Sequence, residues 1–283
     1  MHDNLIILAG GASSRMKKSL APDTLSKETT ATANTVSKAL IGIGKENRPL
    51  LDYLLITAEK AGFKNIYLVV GEHAEEFKNY CNTIKKNTLR NLKFQYAIQY
   101  IPKDRTKPIG TADALLQALD QHPKLQKESF TVCNSDNLYS VSVFKALREN
   151  KNTNAFISYD RDGLLFSMER ISSFALVLLD AKHFVLDIIE KPSDNEIENY
   201  RGSDGKFRVS MNIFKLSGNE IYPYLTTCPL HPIRNEKELP LALLNMCKEK
   251  PEALKGIPFK EHVPDLTSKE DIRTVNTYIK ENF

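Results

Sequence analysis

The stretch Leu8-Ala9-Gly10-Gly11-Ala12-Ser13-Ser14-Arg15-Met16 combines residue types that could do chemistry. A short apolar run ends in two glycines, then small residues, then an arginine. Small side chains let backbone N–H groups approach a polyphosphate and cradle its oxygens. Arg15 would add a rigid fork of donors for the same phosphates. The pattern equally suits a glycine turn followed by a surface arginine. It is not a dinucleotide G-x-G-x-x-G, and the chain carries no G-x-x-x-x-G-K-[ST] phosphate loop. Asp136, in the cluster Asn134-Ser135-Asp136-Asn137, follows a second apolar run. A carboxylate there would project from the carboxyl edge of a parallel sheet, where ligands of open α/β folds bind. Mg²⁺ takes one or two carboxylates plus phosphate oxygens and water, and Asp136 with Asp265 could supply the pair. Otherwise Asp136 would cap a helix beginning near Val141, and Asp265 would be a turn residue before the last helix. No Ser-His-Asp or Cys-His arrangement is evident. The four cysteines, Cys81, Cys133, Cys228 and Cys247, never stand at C-x-x-C spacing, so no zinc site is expected. Cys133 sits in an apolar run and reads as an inert core thiol.

These residues must be positioned by regular elements. Residues 4–9 read as a short buried strand. Residues 13–37 are polar and rich in Ser, Thr, Ala and Lys, and read as a long loop. Pro49 opens an apolar helix and Gly62 ends it. Strands follow at 65–70 and 94–99, a helix at 74–86, a helix at 111–121 that Thr111 could cap, and a strand at 130–133. Such alternation predicts a mostly parallel sheet covered on both faces. Beyond about residue 150, strands near 154–159, 174–180, 185–189 and 207–216 come with fewer helices, which return near 237–249 and 268–281. No internal repeat is present, and nothing resembles the hexapeptide repeats of a β-helix. The 283 residues, 41% hydrophobic and 26% charged, suit one large α/β domain or two small ones. A net charge of +4 without any Lys/Arg run excludes the usual signature of a nucleic-acid binder. No apolar stretch approaches the ~20 residues of a membrane helix. No basic segment with an apolar signal core opens the chain, and free thiols then point to the cytoplasm.

Read in order, the motifs resemble the sugar-1-phosphate nucleotidyltransferase family, in which a Gly-rich loop, an Arg and a Lys bind the triphosphate. Lys38-Ala39-Leu40-Ile41 followed by Arg48-Pro49-Leu50-Leu51-Asp52-Tyr53 is similar to its "K-x-L…P-L-I-x-Y" segment. Gly110-Thr111-Ala112-Asp113-Ala114 resembles its "G-T-A-x-A" nucleoside-binding turn, and Asn134-Ser135-Asp136 stands where it has a metal-binding Asp. Ile189-Glu190-Lys191-Pro192 matches its "E-K-P" sugar-phosphate motif. Val263-Pro264-Asp265-Leu266-Thr267-Ser268-Lys269-Glu270-Asp271 resembles "W-x-D-I-G-T-P-E-D", the source of the second metal-binding Asp. Each motif alone is weak; five in order are hard to produce by chance.

The resemblance implies a nucleotide-diphospho-sugar transferase fold: α/β, Rossmann-like, a mostly parallel mixed sheet with helices on both faces. It implies a single nucleotidyltransferase domain over residues 1–283, with a nucleotide-binding half (1–150) and a half for the sugar phosphate and C-terminal helices (151–283). The implied reaction moves a nucleoside monophosphate from a nucleoside triphosphate to a sugar 1-phosphate with Mg²⁺. Arg15, Lys38, Asp136 and Lys191 would be catalytic. Leu8, Ala9, Gly10, Gly11, Ala12, Gln99, Gly110 and Thr111 would bind the nucleotide. Ala175, Glu190, Lys191 and Asn212 would bind the sugar phosphate, and Asp136 and Asp265 the metal. In related enzymes a Gln near Gln99 reads the base. Its amide could pair with the N3–H and a carbonyl of uracil or thymine, which favours UTP or dTTP.

The chain also departs from the family pattern. Arg15 and Lys38 are about twice the family's usual distance apart, so an insertion lies within residues 17–37. Ser37 replaces a Pro, Pro264 stands near the usual Trp, and Leu266-Thr267-Ser268 replaces Ile-Gly-Thr. Phe174-Ala175-Leu176-Val177 corresponds to "Y-G-V-V" with Ala for Gly, and Asn212 lies where Gly is common. Either side chain would narrow the sugar pocket or add a contact. The alternatives are a cytidylyl- or guanylyltransferase acting on another small phosphate, or a non-catalytic relative that binds sugar nucleotides as a regulator. The L-A-G-G-x-S-S-R-M opening also resembles the molybdenum-cofactor nucleotidyltransferases, which lack E-K-P. Expected partners are the two small substrates and a homo-oligomeric copy, with neither nucleic acid nor membrane.

Overall fold

A computed structural model describes every residue except Thr24, Lys45, His73, Thr88, Ser173, Glu190, Lys191 and Pro192. It describes every side chain except those and the side chains of Lys85, Lys86, Asn87, Met168, Asp194 and Asn195. The chain first runs β1 (Asn4–Leu8), α1 (Ser14–Lys18), α2 (Lys27–Thr35), β2 (Gly42–Ile43), β3 (Arg48–Pro49) and α3 (Leu50–Lys60). Next come β4 (Asn65–Val70), α4 (Glu75–Asn87), β5 (Lys93–Ile98), α5 (Thr111–Gln121), β6 (Ser129–Asn134) and α6 (Val141–Glu149). Then follow β7 (Ala155–Asp160), α7 (Met168–Ser172), β8 (Leu176–Leu179), β9 (Val185–Ile189) and α8 (Asp194–Ile197). The last elements are β10 (Arg208–Ser217), α9 (Gly218–Thr226), α10 (Leu239–Glu249), β11 (Lys255–Phe259) and α11 (Asp271–Asn282).

Among the described residues, nine strands form one sheet in the order β11-β7-β10-β6-β1-β4-β5, with β8 beside β10 and β9 beside β8. β1 lies between β4 and β6 and is parallel to both; Leu5 sits opposite Ile66 on one side and Thr131 on the other. β5 continues this block in parallel. β10 runs antiparallel between β6 and β7, and β11 pairs with β7 in parallel. The mostly parallel mixed sheet expected from the sequence is therefore what forms.

The apolar run of β1 has a face on each side of the sheet, as strands buried on both faces require. Leu5 and Ile7 join a core with Leu54 of α3, Phe144 of α6 and Ile279 of α11. Ile6 faces the other way, into a core with Leu115 of α5, Leu225 of α9 and Leu243 of α10. Helices thus cover both faces. No helix among the described residues is long and apolar enough to cross a membrane. All four cysteines are buried and unpaired, Cys133 among them.

Several elements differ from the sequence reading. The presumed loop at residues 13–37 contains α1 and α2. Ser26 caps α2 by accepting from the Thr29 N–H (3.0 Å), and Ala33 is fully buried. One alanine methyl and the cap anchor a helix whose other positions are polar, apart from the exposed Ala31, so hydrophobic periodicity gave no signal. β11 was missed because its sequence, Lys-Gly-Ile-Pro-Phe, contains two residues that weaken strands. Its place at the sheet edge tolerates Pro258. α9 was hidden by Gly218 and Pro223. Thr111 does not cap α5, whose N-cap is Gly110; the Thr111 hydroxyl instead accepts from the Leu239 N–H (3.0 Å) at the start of α10.

Candidate active site

Past the end of β6, Ser135 donates its N–H to the Leu8 carbonyl (3.1 Å), so the chain stays beside β1 for one more residue. Asp136 therefore emerges next to the loop that follows β1, at the carboxyl edge of the parallel block. There the late segment around Asp265 joins it as a short ladder. Asn137 and Asp265 form an antiparallel bridge. Leu138 donates to the Pro264 carbonyl (3.0 Å), and Leu266 donates to the Asp136 carbonyl (2.8 Å). Two carboxylates remote in sequence are thereby brought together. Burial pushes the Asp265 carboxyl above the ordinary range, and the Asp136 charge adds to the shift; Arg170 and Lys38 pull it back. Lys38 forms an ion pair with Asp136. Arg170 of α7 holds Asp265 Oδ2 (2.7 Å) and also pairs with Asp271. The Thr267 hydroxyl lies 3.0 Å from both Asp265 oxygens and can donate to one of them. Among the described residues, no group of three or more His, Cys, Asp or Glu assembles as a metal cluster.

The glycine loop meets the same place. Leu8 ends β1, and Ala9 donates to the Val69 carbonyl (2.7 Å). Gly11 and Ala12 are exposed. Ser13 adopts a left-handed conformation (φ 52°) and starts α1 without a side-chain cap. Its hydroxyl accepts the Lys38 N–H (3.3 Å), which ties the loop to the lysine on Asp136. Arg15 is exposed on α1 and, with Ser14, Lys18, Ser19 and Ser268, lines a shallow open depression.

Gln99 is buried at the end of β5, 3% exposed. Its amide nitrogen donates to the Gly110 carbonyl (3.0 Å) and to Asp113 Oδ2 (3.0 Å). Its oxygen faces Gly10, where an added Cβ would stand 3.0 Å from Oε1. Glycine at position 10 thus lets the loop pass close over the amide without pressing on it. Gly110 has φ 132° and packs against the backbone of Lys237. Lys237 donates to the Ile109 carbonyl (2.6 Å) and accepts from the Ala112 N–H (3.0 Å). The G-T-A turn is therefore clamped by the segment entering α10.

Glu190 and Lys191 lie outside the described residues. Ile189, which precedes them, is described. Ile189 pairs with Leu176, and Leu176 pairs with Val209 of β10, which places Ala175 and the end of β9 on the β10 side of the sheet. Asn212 lies within the register shift of β10, exposed and left-handed (φ 55°). Asn tolerates that conformation better than other non-glycine residues, which accounts for its standing where Gly is common.

Sequence reasoning missed three contributors. Arg170 sits in a short polar segment without a motif. Lys237 acts through its backbone, which no side-chain pattern reveals. Lys269 is 2% exposed, and its ammonium donates to the carbonyls of Met16, Lys17 and Ser19. The departure Ser-Lys-Glu-Asp from Thr-Pro-Glu-Asp was its one available signal.

The family description "Nucleotidyl transferase" matches residues 4–221. The chain is similar to the bifunctional protein GlmU of Methanococcus vannielii, 24% identical over 236 residues, which cover 83% of this chain and 49% of the relative. GlmU of Methanococcus maripaludis strain C5 is 24% identical over 172 residues, 61% of this chain and 35% of the relative. The chain thus spans half or less of these curated relatives. A crystal structure of UDP-glucose pyrophosphorylase complexed with UDP-glucose superposes with a TM-score of 0.70 at 19% identity, each chain covered completely. That likeness is one of fold, and it agrees with the sheet described above. With residues 4–221 matched, more than two thirds of its length, the chain belongs to the nucleotidyl transferase family.

Proposed function

We propose that the protein transfers a nucleoside monophosphate from a nucleoside triphosphate to a sugar 1-phosphate and releases pyrophosphate. The observation that carries this reading is the meeting of Asp136 and Asp265 beside the glycine loop and Lys38. The nucleophile needs no base, because a phosphate monoester is mostly the dianion at neutral pH. One of its oxygens bonds to the α-phosphorus as the bond to the bridging oxygen of the β-phosphate breaks. What the protein must supply is in-line placement and relief of charge repulsion. Arg15 and the loop amides around Gly11 would hold the departing phosphates. Lys38 would exchange its carboxylate partner for a phosphate oxygen. Lys191 would neutralise the sugar phosphate, while Glu190, Ala175 and Asn212 would shape the sugar pocket.

The donor set also suits Mg²⁺: two crowded carboxylates, one with its charged form disfavoured by burial and by the other's charge, gain from a divalent cation. Asp136 and Asp265 would hold it, and once bound it would neutralise phosphate charge and polarise the α-phosphate. The Gln99 nitrogen is committed to Gly110 and Asp113, so Oε1 is the group left for a base. An acceptor there suits the N3–H of uracil or thymine and opposes the N3 lone pair of cytosine. UTP and dTTP are accordingly favoured, and the UDP-glucose held by the structural neighbour agrees with uracil. Residues 1–283 would act as one nucleotidyltransferase domain, with 1–150 serving the nucleotide and 151–283 the sugar phosphate. We place it in nucleotide-sugar synthesis in the cytoplasm.

Pyrophosphate release measured with a panel of triphosphates and sugar 1-phosphates tests the reading. Turnover with UTP or dTTP is expected, and Asp136→Asn should abolish it while weakening triphosphate binding less. A near wild-type kcat in that variant would remove Asp136 from the metal role.

A further inference from the structure

The segment from Pro264 to Asp271 reaches in two directions. At one end its backbone is laddered to residues 136–138. At the other, Lys269 is buried against the last turn of α1. The Lys269 ammonium donates to the carbonyls of Met16 (2.8 Å), Lys17 (3.2 Å) and Ser19 (2.5 Å). Its backbone N–H donates to Ser19 Oγ (3.1 Å), and that hydroxyl donates to the Met16 carbonyl (3.0 Å). An ammonium has three donors, and here all three meet main-chain oxygens.

We infer that Lys269 is a positioning residue that fixes Arg15 at a set distance from the Asp136–Asp265 pair, an inference that rests on the nucleotidyl-transfer reading. α1 has five residues, no acidic residue in its first turn, no side-chain N-cap, and three basic residues of its own. One turn of helix does not persist unaided. Met16 anchors it in the core from within, and Lys269 satisfies its terminal carbonyls with a charge of the sign that a helix C-terminus favours. The same loop carries Asp265 four residues earlier. One short, doubly anchored segment therefore sets the spacing between the triphosphate arginine and the carboxylates.

A lysine that served stability alone would lower the melting temperature and leave substrate preference untouched. A positioning lysine moves one KM and not the other. The test compares wild type, Lys269→Met and the milder Ser19→Ala, assayed well below each melting temperature. Ser19→Ala keeps the inference testable if Lys269→Met fails to fold. The KM for triphosphate should rise about tenfold in Lys269→Met and less in Ser19→Ala, with the KM for sugar 1-phosphate within about twofold of wild type. Hydrogen exchange without nucleotide should quicken at residues 14–19 and stay unchanged at residues 129–138. An equal rise in both KM values, or unaltered exchange at residues 14–19, would overturn the inference. If the wild-type protein transfers no nucleotide, the functional reading falls by itself. Magnesium pyrophosphate binding by calorimetry then takes the place of KM. Weaker binding in both variants would support the strut, and equal binding would refute it.

Discussion

Gly110→Ala separates the fold's demand for glycine from the ligand's. Gly110 adopts φ 132° and ψ −172°, a backbone region that is essentially glycine's alone. Holding alanine there costs on the order of 1–3 kcal/mol. The new Cβ would also fall inside contact distance of the Lys237 carbonyl oxygen and 3.0 Å from the Lys237 nitrogen and carbonyl carbon. These are backbone atoms, pinned by the Ile109–Lys237 and Ala112–Lys237 hydrogen bonds, and cannot rotate away. Overpacking of this kind adds roughly 1–3 kcal/mol. A total loss of about 2–6 kcal/mol is expected, roughly 3–10 °C in melting temperature for a chain of this size. Gly11→Ala is the control. Nothing lies within 4 Å of its added Cβ, so stability should stay within about 0.5 kcal/mol, while triphosphate KM rises because a methyl group blocks close approach to the loop amides. Urea unfolding followed by circular dichroism, with steady-state kinetics on both proteins, makes the comparison. A Gly110→Ala loss below about 1 kcal/mol would mean that the clamp yields, and the account of a rigid G-T-A turn would be wrong.

Further outcomes are expected. Arg15→Ala should raise the KM for triphosphate and Lys191→Ala the KM for sugar phosphate; the reverse pattern in kinetics would show that the two assignments are exchanged. Within the 17–37 insertion, Lys18→Ala should raise triphosphate KM about threefold to tenfold, since Lys18 shares the depression with Arg15. Unchanged kinetics in Lys17, Lys18 and Lys27 single variants would remove the insertion from substrate contact. Acid should weaken the fold through His2. Burial, with the charges of Lys215 and Arg148, lowers its pKa to about 3, and its ring bonds Thr131 Oγ1 (2.9 Å). Between about 6.5 and about 3 the unfolded chain therefore takes up a proton that the native state refuses. Stability should fall by ~1.4 kcal/mol per pH unit, or about 2 kcal/mol by pH 5. Urea unfolding of wild type and His2→Gln at pH 7.5 and pH 5 measures it, and an equal acid loss in both would refute it.

The sequence revealed most where one residue's side chain carries both pattern and role. Apolar runs such as residues 5–7 and 66–70 declared a sheet buried on both faces. Asp136 and Asp265 announced themselves as carboxylates after strand-like or turn-like motifs, and they do meet. Illegible features were of two kinds. α2 and β11 form against local preference, since docking and edge position override weak propensity. The Lys237 clamp and the carbonyl cage around Lys269 are built from main-chain atoms, for which the code has no letter. The sequence pointed to Gln99 as a candidate for reading the base, but the commitment of its amide nitrogen to Gly110 and Asp113 required the folded turn.

The ladder between Asn137 and Asp265 has a consequence for synthesis. Every strand of the large sheet lies at or before Phe259, whereas Asp265 and Lys269 come after it. A chain made only that far would hold every strand of the sheet but lack Asp265, Lys269 and the α11 side chains that complete the core on one face. In order of synthesis, the strands thus come before the segment that joins the two carboxylates. The buried face that α11 covers and the bridge between Asn137 and Asp265 both wait for this last segment.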